Sequence, residues 1–92
     1  MGNDGVPIQY HIEVYEASFR NDPSLSWATS TPLPSLAVGD YFEATTYDRW
    51  SNPPKQGQAF RIKEINHIFW EIEKSHIGHK LMVCLETVSR PE

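Results

Sequence analysis

Near the C-terminal end of the chain, apolar and polar residues alternate with a period of two, and this pattern limits the possible folds more than any other feature. Ile68, Trp70 and Ile72 share one parity, and Leu81, Val83 and Leu85 repeat it beyond the segment Lys74-Ser75-His76-Ile77-Gly78-His79. Successive residues of a strand point to opposite faces of a sheet, so the two runs read as the arms of a β-hairpin with that segment as its turn. Setting Glu73 against Lys80 brings Ile72 to Leu81, Trp70 to Val83, Ile68 to Leu85, Phe69 to Cys84 and His67 to Glu86. A one-residue slip would move every side chain to the wrong face. Ile65, Ile68, Phe69 and Ile72 also fit a helical stripe. The β-branched and aromatic content, together with the matching second run, favours strand.

The same period appears near the N-terminus, where Ile8, Tyr10, Ile12 and Val14 alternate with Gln9, His11 and Glu13. The parity then slips to Tyr15, Ala17 and Phe19, which predicts a β-bulge near Glu16. A second slip, from Phe60 and Ile62 to Ile65, predicts a bulge around Glu64. Val38-Gly39-Asp40 reads as a turn into a strand over residues 41–47. Residues 1–6 read as a frayed terminus. Residues 21–37 carry Pro23, Pro32 and Pro34 among serines and threonines and read as one long ordered loop, pinned by Trp27, Leu33 and Leu36. Pro53-Pro54 excludes a helix from the connection over residues 48–57. The expectation is a single domain over residues 1–92, all-β or mainly β: a small antiparallel, curled sheet or partly open barrel of four to five strands.

Composition sets the outer bounds. The 92 residues are 39% hydrophobic with one cysteine and a net charge of −4. A lone cysteine forms no internal disulfide. No apolar run reaches the roughly 18 residues of a membrane span, and the start of the chain does not resemble a targeting segment, so a soluble, cytoplasmic protein with no membrane partner is expected. The charge is uneven: residues 1–50 hold seven acids against Arg20 and Arg49, whereas Lys55, Arg61, Lys63, Lys74 and Lys80 gather in the second half. A nucleic-acid partner is disfavoured by the net charge but keeps an argument in that basic group beside Tyr41 and Tyr47.

Chemistry-bearing constellations are sparse. His76-x-x-His79 could offer two imidazoles to an ion, but the paired local spacing of a structural zinc site is missing, so no metal and no cofactor are assigned. The register above makes His67 and Glu86 a polar pair with a place in acid–base chemistry only if a third group joins them. Cys84, flanked by Val83 and Leu85, reads as an inert buried thiol. There is no phosphate-binding glycine loop, nucleophile elbow or metalloprotease helix, which leans the reading away from an enzyme. The aromatic residues say more. Tyr10, Phe42, Phe60 and Trp70 have core parity, whereas Trp27, Tyr41, Tyr47 and Trp50 lie on the other parity or in loops. Rings so placed are typical of contact surfaces. These four are the expected partner-binding residues of a non-catalytic interaction module or assembly component taking a protein or peptide, with homodimerisation by strand addition as a second route. Single-stranded nucleic-acid binding on a barrel face, and a small-ligand carrier or enzyme built on His67 and Glu86, are the alternatives.

Overall fold

The computed structural model describes residues 7–33, 35–43, 48–73 and 75–90. Among them the secondary structure is all strand: β1 (Ile8–Glu16), β2 (Leu25–Thr29), β3 (Tyr41–Phe42), β4 (Gln58–Ile72) and β5 (His76–Ser89). They form one sheet in the order β2-β1-β5-β4-β3, curled into a half-barrel. The expected mainly β, partly open architecture is therefore present, and residues 62–72 are strand rather than helix. The sheet is not wholly antiparallel. β1 lies parallel to β5, with Ile8 opposite Ile77 and Glu16 opposite Leu85, while the other three pairings are antiparallel. A period-2 pattern fixes faces but not strand direction, so the first and last long strands could meet side by side without any sign in the sequence.

Inside the curl, alternate residues from the three long strands interlock. Ile12, Val14, Leu25, Phe60, Ile62, Leu81, Val83 and Leu85 are the buried cluster, and Leu33, Leu36, Phe42, Trp50 and Ile65 pack against it. Val14, Val83 and Leu85 have no exposed surface. Burying a side chain of this kind stabilises the fold by roughly 1.5–3 kcal/mol. The core sits toward the Glu16–Leu85 end. The β4–β5 hairpin runs on past it, which accounts for the elongated extents of 51 × 24 × 23 Å.

Several local expectations need correction. The connection over residues 21–37 is not all loop, because Leu25–Thr29 pairs with Val14–Tyr10 as β2. Leu25 drops into the core and supplies the apolar anchor that makes this short strand worthwhile. Leu33 and Leu36 do pin the rest of the connection, whereas Trp27 stays 46% exposed. No bulge occurs near Glu16. Instead β1 ends there, and Ala17 takes a left-handed backbone with φ of 70°. That conformation costs a non-glycine residue about 1–2 kcal/mol, and it lets the Ala17 N–H reach the Leu85 carbonyl at 2.9 Å. The second bulge is found where expected, as a register shift between Ile62 and Glu64.

The β4–β5 turn is tighter than the sequence suggested, and the register differs with it. Ser75 N–H donates to the Ile72 carbonyl at 2.9 Å, and β5 already begins at His76. Ile72 consequently faces His76, Trp70 faces Gly78, His67 faces Leu81 and Arg61 faces Glu86. Gly78 reads as turn punctuation, but it lies inside β5 for a packing reason. A Cβ on Gly78 would lie 2.1 Å from the Trp70 indole, which occupies the space a side chain would take. Across that gap the Trp70 ring reaches His11 of β1, with centroids 5.3 Å apart. Trp70 therefore covers the outer face of the sheet rather than joining the core.

Candidate functional site

Trp50 is the best placed of the four expected partner-binding residues, and its position traces back to Glu16. The Glu16 side chain, only 8% exposed, projects from the end of β1. Its carboxylate accepts the backbone N–H groups of Ser51 and Asn52, each at 2.8 Å, and the Ser24 hydroxyl. One carboxylate thus ties the entry of β2 and the segment after Trp50 to the end of β1. Hydrogen bonds to a charged acceptor contribute about 1.5–3 kcal/mol, enough to order a connection rich in Pro and Ser. Held in this way, the half-buried Trp50 ring packs on Phe60 at 4.9 Å and meets Phe42 edge to face at 6.2 Å.

Beside these rings lies a groove of about 560 Å³. Phe42, Trp50 and Phe60 give it an aromatic wall, and Pro53 and Pro54 form part of its lining. Its other margin is charged. Lys55 and Arg90 line it, and Arg90 Nη1 donates to Glu43 at 3.2 Å. The loop closes through Gln58 N–H to the Lys55 carbonyl at 2.9 Å and Arg90 N–H to the Gly57 carbonyl at 2.8 Å. Gly57, at φ of 83°, makes the left-handed turn into β4 that another residue would adopt only under strain. The geometry suits an apolar side chain held against flat rings with a polar or acidic flank at its margin.

The other expected residues are spread out. Trp27 on β2 and Tyr41 on β3 are 46% and 49% exposed, at opposite ends of the strand order. Tyr47 lies outside the described residues. The expected pairing of His67 with Glu86 is not formed, because the tighter hairpin turn changes every partner. Glu86 instead bonds Arg61 at 3.2 Å, and His67 Nδ1 lies 2.9 Å from His79 Nε2.

That histidine pair belongs to a second cluster on the concave face. The Phe69 ring stacks on His79 with centroids 4.3 Å apart, and Tyr10 meets His79 edge-on at 5.9 Å. A cavity of about 290 Å³ opens beside the pair, lined by Leu33, Leu36 and Leu81 as well as Tyr10. Burial, and secondarily the neighbouring His67, lowers the pKa of His79 below its ordinary value. Elsewhere, burial raises the pKa of the Cys84 thiol, as befits an unreactive position. Burial together with the hydrogen bond to Glu13 pushes Tyr15 up to about 12.

Sequence reasoning missed Phe69, His79 and Tyr10 as a cluster because it depends on the parallel β1–β5 pairing and on the hairpin register. It missed Arg90 as a groove residue because nothing near Arg90 in the chain points to Trp50. The Trp50–Pro53-Pro54 spacing was the one visible signal for the groove. Compared with known proteins, the chain matches no family model, no curated protein and no solved structure. No helix among the described residues is long and apolar enough to cross a membrane.

Proposed function

We propose that the protein is a non-catalytic interaction module that holds a segment of a protein or peptide partner in the groove at Trp50. The groove carries this reading: an aromatic wall, prolines that keep the rim stiff, and Lys55 at the margin, where Arg90 is already paired with Glu43. Such a site favours an extended segment with one large apolar anchor and a neighbouring carboxylate. Tyr41, next to the groove residue Phe42 on β3, is exposed on the opposite face of the sheet and lies outside this groove. A role within an assembly draws support from β4. Among the described residues β3 pairs with it only at Phe60 and Arg61, so much of the longer strand's outer edge is open to strand addition.

Selection from a random peptide library displayed against the purified protein tests the proposal. The expected winners share an aromatic or aliphatic anchor beside an acid. Lys55→Glu, an exposed substitution that leaves the core untouched, should weaken their binding by about 1 kcal/mol or more. Winners without an anchor, or equal binding to Lys55→Glu, would count against it.

One observation supports a second reading, a small-ligand carrier: the cavity beside His67 and His79. It uses His79 in place of Glu86. The nucleic-acid reading loses support because Arg61 and Lys80 are engaged with Glu86 and Glu13.

A further inference from the structure

We infer that His67 and His79 form a two-imidazole chelate for one divalent transition-metal ion, Cu²⁺ in preference to Zn²⁺ or Ni²⁺. The carrying observation is the 2.9 Å separation of His67 Nδ1 and His79 Nε2. Two nitrogens bound at right angles to one ion, each by a bond of about 2.05 Å, lie about 2.9 Å apart. The hairpin register produces this spacing. His67 faces Leu81 and Phe69 faces His79, so the two histidines are diagonal neighbours on the concave face.

The site is partly built before any ion arrives. The Phe69 face and the Tyr10 edge fix the His79 ring from two directions. The rings of His67 and His79 are 26° from parallel, and exposed His67 has room to swing its lone pair into convergence. Binding requires both facing nitrogens to be unprotonated. In the neutral pair, the ring that donates in the N–H···N contact moves that proton to its other nitrogen, and no net proton is released. In the singly protonated pair, one proton leaves to solvent.

The donor set selects the ion. Imidazole suits Cu²⁺, Ni²⁺ and Zn²⁺, with Cu²⁺ the strongest of the series. No cluster of three or more His, Cys, Asp or Glu forms among the described residues, so water completes the coordination and oxygen-preferring Mg²⁺ and Ca²⁺ find no carboxylate. The other histidines do not converge here. His76 contacts the Ser75 hydroxyl at 3.1 Å, and His11 packs against Trp70 across the outer face.

Titration of the tag-free full chain with Cu²⁺ at neutral pH, followed by calorimetry and electron paramagnetic resonance, is the test. The expected result is one ion per chain, coupling to two nitrogens, no competition from Mg²⁺, and weaker binding as the pH falls below the imidazole range. His67→Ala and His79→Gln should each weaken binding at least about tenfold, while His76→Ala leaves it unchanged. His67 is exposed, so His67→Ala is expected to keep the fold, as a thermal melt will verify. It decides the matter alone if His79→Gln unfolds. Absence of Cu²⁺ uptake, wild-type affinity in folded His67→Ala, or an equal loss in His76→Ala would overturn the assignment.

Discussion

His79 is the residue at which packing and proton chemistry meet most closely. Stacked on Phe69, touched by the edge of Tyr10 and bonded to His67, it has a lowered pKa, through burial first and His67 second. The unfolded chain, with an ordinary imidazole pKa of 6.5, therefore takes up the proton before the folded chain does. The contribution of His79 to stability is complete above that pH and is lost as the pH falls from 6.5 through the lowered folded value. Thermal melts over this range should show stability declining with acid, and His79→Gln should flatten the decline. An unchanged slope in the variant would refute this account of His79. Little of the residue's role was legible in the sequence. Its spacing from His76 suggested a turn pair, and Gly78 beside it strengthened that impression, whereas the glycine is there to admit the Trp70 ring.

Among the elements, the end of β1 does the most to position the groove. Glu16 gathers donors from the entry of β2 and from the segment that follows Trp50. Replacing it with Ala should cost about 1.5–3 kcal/mol in urea unfolding, since a charged acceptor is removed from its donors. Trp50 emission should shift to the red as the segment loosens. Full stability in Glu16→Ala would mean that the apolar contacts of Trp50 hold the loop unaided. The element pattern shows what the sequence can and cannot convey. Alternation, helped in β4 by its β-branched and aromatic content, conveys the strands β1, β4 and β5 and the bulge at Ile62–Glu64. It put Ile68, Trp70 and Ile72 on the core face, however, whereas the register turns them to the outer one. The slip at Tyr15–Ala17 looked like a bulge because a strand that stops at a left-handed residue breaks parity in the same way. β2 was hidden among prolines and serines because only Leu25 of its five residues is buried.

At the scale of the whole molecule, the fold places its first and last long strands parallel at the centre of the sheet, with the shorter β2 and β3 at its ends. This arrangement makes one curled layer and leaves aromatic residues exposed on several elements. The mainly β, partly open architecture was readable from period and turn signals. The groove was only half readable, because Trp50 and the prolines are close in sequence while Phe42, Phe60 and Arg90 come from elsewhere in the chain. In the proposed function the Trp50 groove, rather than the His67–His79 cavity, receives the partner. The most direct measurement is amide chemical-shift mapping of the isotopically labelled protein during titration with a library-selected peptide. The account predicts that the perturbed amides cluster at Phe42, Trp50, Lys55 and Arg90 and leave Tyr10, His67 and His79 in place. Perturbations centred on Tyr10, His67 and His79, with the groove unmoved, would contradict it.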